Sequence, residues 1–226
     1  MANILSIETA TNVCSVALHS NDDLLGHQEL FVEKSHSGLL TVLINDLINH
    51  CELSMKHIDA VAVSEGPGSY TGLRIGTSTA KGLCYGLEIP MINVNTLEAM
   101  LASIQPFYKY PSLFCPMIDA RRLEVYCLLA NEDGQVIEPT HAKIIDENSF
   151  ADVLSEHQII FFGNGAIKCE QLIKHPNALF VEGVTPNAKN IGSIAYSKHL
   201  KEEFVDVAYF EPYYLKDFRS TQTKAV

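Results

Sequence analysis

Leu5-Ser6-Ile7-Glu8, then Cys14-Ser15-Val16-Ala17-Leu18 and the polar turn Ser20-Asn21-Asp22-Asp23, reads as two apolar strands with an acidic residue at the first turn. A third strand follows from Leu24 to Phe31. Moved 111 positions, so that Glu8 falls on Asp119 and Val16 on Cys127, the stretch meets Pro116-Met117-Ile118-Asp119, Val125-Tyr126-Cys127-Leu128-Leu129 and Asn131-Glu132-Asp133-Gly134, with Gln135 to Ile137 as third strand. The same β-meander therefore occurs twice. Helical and strand patterns alternate after each copy. In the first half they are a helix over Gly38–Cys51, a strand over Ala60–Val63, a helix over Thr71–Gly86, a strand over Met91–Val94 and a helix capped by Asn95. In the second half they are Ser149–Ser155 (helix), Ile159–Phe162 (strand), Ala166–Ile173 (helix), Leu179–Val181 (strand) and Asn187–Lys201 (helix). The expected class is α/β, in two sheet-and-helix lobes. Pro106 and Pro111 mark the join near 103–113, which divides the chain into 1–105 and 106–226.

The composition narrows the function. A formal charge of −11 repels phosphate backbones, and Arg121-Arg122 is the densest basic point, so strong direct binding of nucleic acid is not expected. The six cysteines are scattered without a CxxC pair, several within apolar segments, as in a reduced cytoplasmic protein. No run of 18 apolar residues predicts a membrane span, and Met1-Ala2-Asn3-Ile4 lacks the basic start and long apolar run of a signal peptide.

Ser64-Glu65-Gly66-Pro67-Gly68-Ser69-Tyr70-Thr71-Gly72-Leu73-Arg74-Ile75-Gly76 leads from a strand through a tight turn into a helix that also holds Gly82 and Gly86. Each interior glycine costs about 1 kcal/mol relative to alanine, so something must approach that helix backbone. The helix before it carries a wide apolar arc. Leu40, Leu43, Ile44, Leu47, Ile48 and Cys51 supply what one sheet requires, and Leu39 and Val42 extend it. A wide apolar helix beside a small-residue helix can dock another helix pair. Two central helices covered by their own chain would read the same way.

A duplicated meander with alternating helices is the plan of the actin-like ATPase superfamily, a duplicated ribonuclease H-like fold. GPGSYTGLRIG is also similar to the GPGSFTGLRIG signature of the TsaB family, the dimerisation subunit of the bacterial tRNA threonylcarbamoyladenosine (t6A) machinery. Ile4–Thr11, Lys34-Ser35-His36-Ser37 with Leu39-Leu40, Asp119-Ala120-Arg121-Arg122 with Glu124-Val125-Tyr126, and Tyr214-Leu215-Lys216 resemble further family motifs. The resemblance implies a non-catalytic scaffold. Its first two helices would pack against those of the catalytic subunit TsaD, which modifies adenosine 37 of tRNA, and the ATPase TsaE would join. The same surface would form a homodimer when TsaD is absent. On that basis the expected partner-binding residues are His36, Leu39, Leu40, Leu43, Leu47, Tyr70, Gly72, Leu73, Gly76 and Thr79. Gly76→Leu is expected to block docking in a folded monomer.

The actin-like plan places phosphates between two acidic turns. Here Glu8-Thr9-Ala10-Thr11 and Asp119-Ala120-Arg121-Arg122 both lack the glycine that would bring backbone amides to phosphate. Gly163-Asn164-Gly165 stands where adenosine would lie, but a strand-to-helix turn explains it equally well. Glu8, Thr9, Asp119, Gly163 and Gly165 are therefore vestigial or composite nucleotide positions. The subunit itself would need no cofactor, and ATP or ADP would bind only at an interface with a partner. The alternative is a solo actin-like ATPase or kinase using the cleft between lobes.

His36 lies at the start of a helix that resembles the metal-binding helix of TsaD, which carries two histidines four residues apart; here the position four after His36 is Leu40, and no metal is expected. Ser64 and Ser69 lack GxSxG spacing and an activating partner, so no catalytic residue is expected.

Overall fold

The computed structural model describes residues 1–31, 36–108 and 110–216. Lys34 and Ser35 of the first-helix motif, and the polar tail Arg219–Val226, lie outside the described residues. Two five-stranded mixed sheets form. The first runs β3 (Asp23–Leu30), β2 (Cys14–Ser20), β1 (Asn3–Glu8), β4 (Ala60–Gly66), β5 (Met91–Asn95). The second repeats that order as β8 (Val136–Ile144), β7 (Glu124–Ala130), β6 (Leu113–Asp119), β9 (Ile159–Phe162), β10 (Ala178–Val181). In each, the meander is antiparallel and the last two strands are added in parallel. This is the duplicated, actin-like two-lobe architecture.

The helices cover the sheets in a crossed pattern. On the outer face of the first sheet, Leu5, Ile7, Val16 and Leu18 pack under Leu40, Leu43, Ile44, Leu47 and Ile48 of α1 (His36–His50) and Ala80 and Cys84 of α2 (Tyr70–Leu87). Its inner face, with Ile4, Ala62, Ile92 and Val94, is closed by Ile191 and Ala195 of α6 (Ala188–Leu200), the last helix among the described residues. Conversely, Leu97, Met100 and Leu101 of α3 (Thr96–Ile104) close the inner face of the second sheet against Phe114, Ile118 and Phe162. The outer face of that sheet packs on α4 (Ala151–Glu156) and α5 (Ala166–Cys169). Each lobe therefore lends a helix to the other. Among the described residues, no helix is long and apolar enough to cross a membrane.

Two expectations change. The helix expected over Ala166–Ile173 ends at Cys169, where the chain tightens into turns with Leu172 N donating to Cys169 O at 3.0 Å. The third strand of the second meander continues to Ile144 rather than stopping at Ile137. It is an edge strand, where Pro139 and alternating polar residues are tolerated.

The repeat itself is corrected by one position in its first strand. Ile7 pairs with Val16 on the outer face, and Met117 pairs with Cys127 on the outer face of the second sheet. The shift is 110 residues for β1 to β6 (117 − 7) and 111 for β2 to β7 (127 − 16). Ile118 therefore takes the place of Glu8, and Asp119 that of Thr9, because the second hairpin turn holds one more residue.

Candidate functional site

The β1–β2 turn is tied inward. Glu8 is fully buried at the end of β1. Its Oε1 accepts from the Ala10 amide and from Ser64 Oγ at 3.0 Å, and its Oε2 has no hydrogen-bond partner. Burial pushes its carboxyl up from 4.5 to about 7, against the opposing pull of those hydrogen bonds. Thr9 Oγ1 donates to Gly72 O at 2.8 Å, and Ser69 N donates to Ala10 O at 2.6 Å. The turn is thereby clipped to the first turn of α2, which Ser69 caps by accepting from the Gly72 amide.

The second turn is equally closed. Asp119 is exposed, accepts from the Arg121 amide and pairs with Lys168. Lys168 also donates to the carbonyls of Arg122 and Glu124. Arg121 and Arg122 both sit at positive φ, 71° and 53°. Asn164 Oδ1 accepts from the Asp119 amide at 2.9 Å. A Cβ on Gly163 would lie 2.3 Å from Met117 O, and one on Gly165 would lie 2.8 Å from the Ile118 carbonyl carbon. These glycines let the loop press on β6, and the amides of Ala10, Asp119 and Arg121 already serve acceptors in the chain. The residues do not fit a phosphate cradle within this chain.

The expected docking residues divide sharply. His36, Leu40, Leu43, Leu47 and Leu73 are in the core, and His36 Nε2 lies 3.3 Å from Val13 O. Gly72 and Gly76 face inward. A Cβ would stand 2.0 Å from Thr9 O at Gly72 and 2.3 Å from Thr9 Oγ1 at Gly76. The backbone that approaches this part of α2 belongs to the chain's own β1–β2 turn. The expectation that Gly76→Leu leaves a folded monomer is therefore overturned, since the side chain would enter the core.

Leu39, Tyr70 and Thr79 are partly exposed, on a different face. That outer face carries Gly38, Thr41 and Val42 of α1 and Thr71, Arg74, Ser78, Gly82, Tyr85 and Gly86 of α2. Val42 is 50% exposed and Tyr85 85%, and a Cβ on Gly38, Gly82 or Gly86 would meet nothing within 4 Å. Between the helices runs an open groove of about 470 Å³, lined by Ser37, Tyr70, Thr71, Arg74, Ile75, Ser78 and Thr79. Helical phase was the signal for this face. Gly82 lies six positions after Gly76, a rotation of about 240° beyond a full turn, which puts these two glycines on different sides of α2. Among the described residues, no three or more His, Cys, Asp and Glu side chains gather as metal ligands would.

The family model of TsaD, tRNA N6-adenosine threonylcarbamoyltransferase, matches residues 30–222. The tRNA threonylcarbamoyladenosine biosynthesis protein TsaB of Escherichia coli (strain K12) is 32% identical over 221 residues, which is 95% of this chain and 94% of that protein. The crystal structure of a Pseudomonas aeruginosa protein with similarity to peptidase YeaZ superposes with a TM-score of 0.83 at 24% identity, covering 96% of this chain and all of that one. The activator of 2-hydroxyisocaproyl-CoA dehydratase from Clostridium difficile, with bound ADPNP, shares the fold at a TM-score of 0.54 and 8% identity over 89% of this chain and 97% of that one. With a third of its residues shared along nearly the whole of a TsaB sequence, the chain belongs to the TsaB family.

Proposed function

We propose that this chain is a non-catalytic, activating subunit for threonylcarbamoylation of adenosine 37 in tRNA. It docks a TsaD-type catalytic subunit on the outer face of α1 and α2, acts with the ATPase TsaE, and works in the cytoplasm. When alone it pairs with a second copy through the same face. The tRNA is held by other subunits, since a chain of net charge −11 repels it. ATP or ADP enters only where a partner completes a site.

The observation that carries this reading is the open strip of Val42, Ser78, Gly82 and Gly86 beside a groove, on helices whose inward faces are fully used by the core. Helices with small residues at their surface permit close approach of a second helix pair, and exposed apolar groups beside them favour burial.

The test is light scattering on the chain alone and mixed with TsaD from the same genome. A 1:1 heterodimer is expected, and Gly82→Leu abolishes it while melting within about 2 °C of the parent, because that Cβ points into open space. Retained affinity in Gly82→Leu would remove this face from the model. Gly82→Ala supplies a control on the monomer. It gains up to about 1 kcal/mol in urea unfolding from helix propensity alone.

A further inference from the structure

We propose that Arg74 is the charged anchor of the helical face, where it pairs with one carboxylate on a helix of the docked TsaD-type subunit, and that Tyr214 is its positioning residue. The inference rests on the α1–α2 face being the docking surface.

Arg74 is exposed on α2 beside the groove. Its Nη1 donates to Tyr70 Oη at 3.0 Å, and its guanidinium carbon lies 5.0 Å from the centre of the Tyr70 ring. The Tyr70 ring in turn lies 5.0 Å from that of Tyr214. Tyr214 arrives on a strap that follows α6. Val205 N donates to Met91 O at 2.9 Å, Lys81 Nζ to Ala208 O at 3.0 Å and Tyr213 N to Glu65 O at 2.7 Å. The strap then reaches the second lobe, where Lys216 pairs with Glu124. Two anchored lobes thus hold the ring that holds the ring under Arg74.

The chain has 27 Asp and Glu against 16 Lys and Arg, yet among the described residues no carboxylate pairs with Arg74. Tyr70 takes one of its five N–H donors, and a planar fork suited to a carboxylate remains. A guanidinium ordered before docking loses less freedom on binding than a free one. The groove beside it, lined by Ser37, Thr71, Ile75, Ser78 and Thr79, suits small or aliphatic side chains of an incoming helix. A partner helix with a lysine at this point would be repelled.

The test is the affinity for TsaD of the parent and of single variants, measured by calorimetry. Arg74→Ala is expected to weaken binding about 30-fold and Arg74→Glu further, with the loss shrinking between 50 mM and 500 mM NaCl. Tyr214→Ala should weaken binding several-fold, Tyr214→Phe should match the parent, and Tyr214→Ala should add nothing in an Arg74→Ala background. Parent-like binding by Arg74→Glu overturns the anchor, and additive losses overturn the positioning role. If Arg74→Glu splits a homodimer but leaves the TsaD complex intact, the occupant is a second copy and the proposal falls. Failure of the parent itself to bind TsaD overturns the docking reading and this inference together, whereas a parent that binds beside variants that bind as tightly overturns only this one.

Discussion

Gly76→Leu should cost more than about 4 kcal/mol of folding stability, a fall in melting temperature of roughly 10 °C or more for a chain of this size. The cause is local. The first side-chain atom would stand 2.3 Å from Thr9 Oγ1 and 3.5 Å from Val63 Cγ2, where real contacts begin near van der Waals separation. Thr9 cannot simply swing away, because its hydroxyl donates to Gly72 O and its neighbour Ala10 accepts from Ser69. The rest of the leucine would have to displace the end of β1 or lift α2 from the sheet. Differential scanning fluorimetry of Gly76→Leu beside Gly82→Leu decides the matter. A melting point for Gly76→Leu within 3 °C of the parent would contradict the packing of α2 on the β1–β2 turn.

Glu8→Gln should stabilise the chain by about 3 kcal/mol at pH 8.5 and by little at pH 5. Glu8 is buried, and its folded-state pKa is raised from 4.5 to about 7. The folded state therefore holds the proton more tightly than the unfolded chain. Below about pH 4.5 the group is neutral in both states and its contribution to stability is fully present. As pH rises to about 7 that stability is lost, and above it the loss is constant. A rise of 2.5 pH units (7 − 4.5) at 1.36 kcal/mol each gives the figure. Glutamine stays neutral throughout and keeps an oxygen to accept from Ala10 N and Ser64 Oγ. Urea unfolding of both proteins from pH 4.5 to 8.5, taken as a difference, isolates this residue from other titrating groups. A difference that does not change with pH would rule out a buried, ionising Glu8.

Much of the fold could be read from alternation. The meander announced itself twice because its strands bury one face and turn at polar residues, and Leu40, Leu43, Ile44, Leu47 and Ile48 lie in the core as their spacing required. The one-residue error at Asp119 arose because a hairpin's length, rather than its composition, decides which face each strand residue takes. The crossing of α3 and α6 was invisible, since an apolar helix face does not say which sheet it covers.

The docking residues were harder. The apolar excess at Leu39 and Val42 did point outward, but Leu40, Leu43 and Leu47 were assigned to a partner although they satisfy the chain's own sheet. Glycine spacing signals a close approach without naming what approaches. At Gly72 and Gly76 it is Thr9, and at Gly82 and Gly86 the side is open. Arg74 could not be singled out from sequence, because the ring that supports Tyr70 lies 144 positions away (214 − 70).

The exchange of helices between lobes sets the order in which a growing chain can mature. The first sheet is complete once β5 has left the ribosome, but Ile4, Ala62, Ile92 and Val94 stay only partly covered on one face until α6 follows, 93 positions after the end of β5 (188 − 95). The α1–α2 face is carried on the other side of that half-finished sheet. A nascent chain therefore has no settled α1–α2 face until α6 has emerged and docked on the opposite side of the sheet.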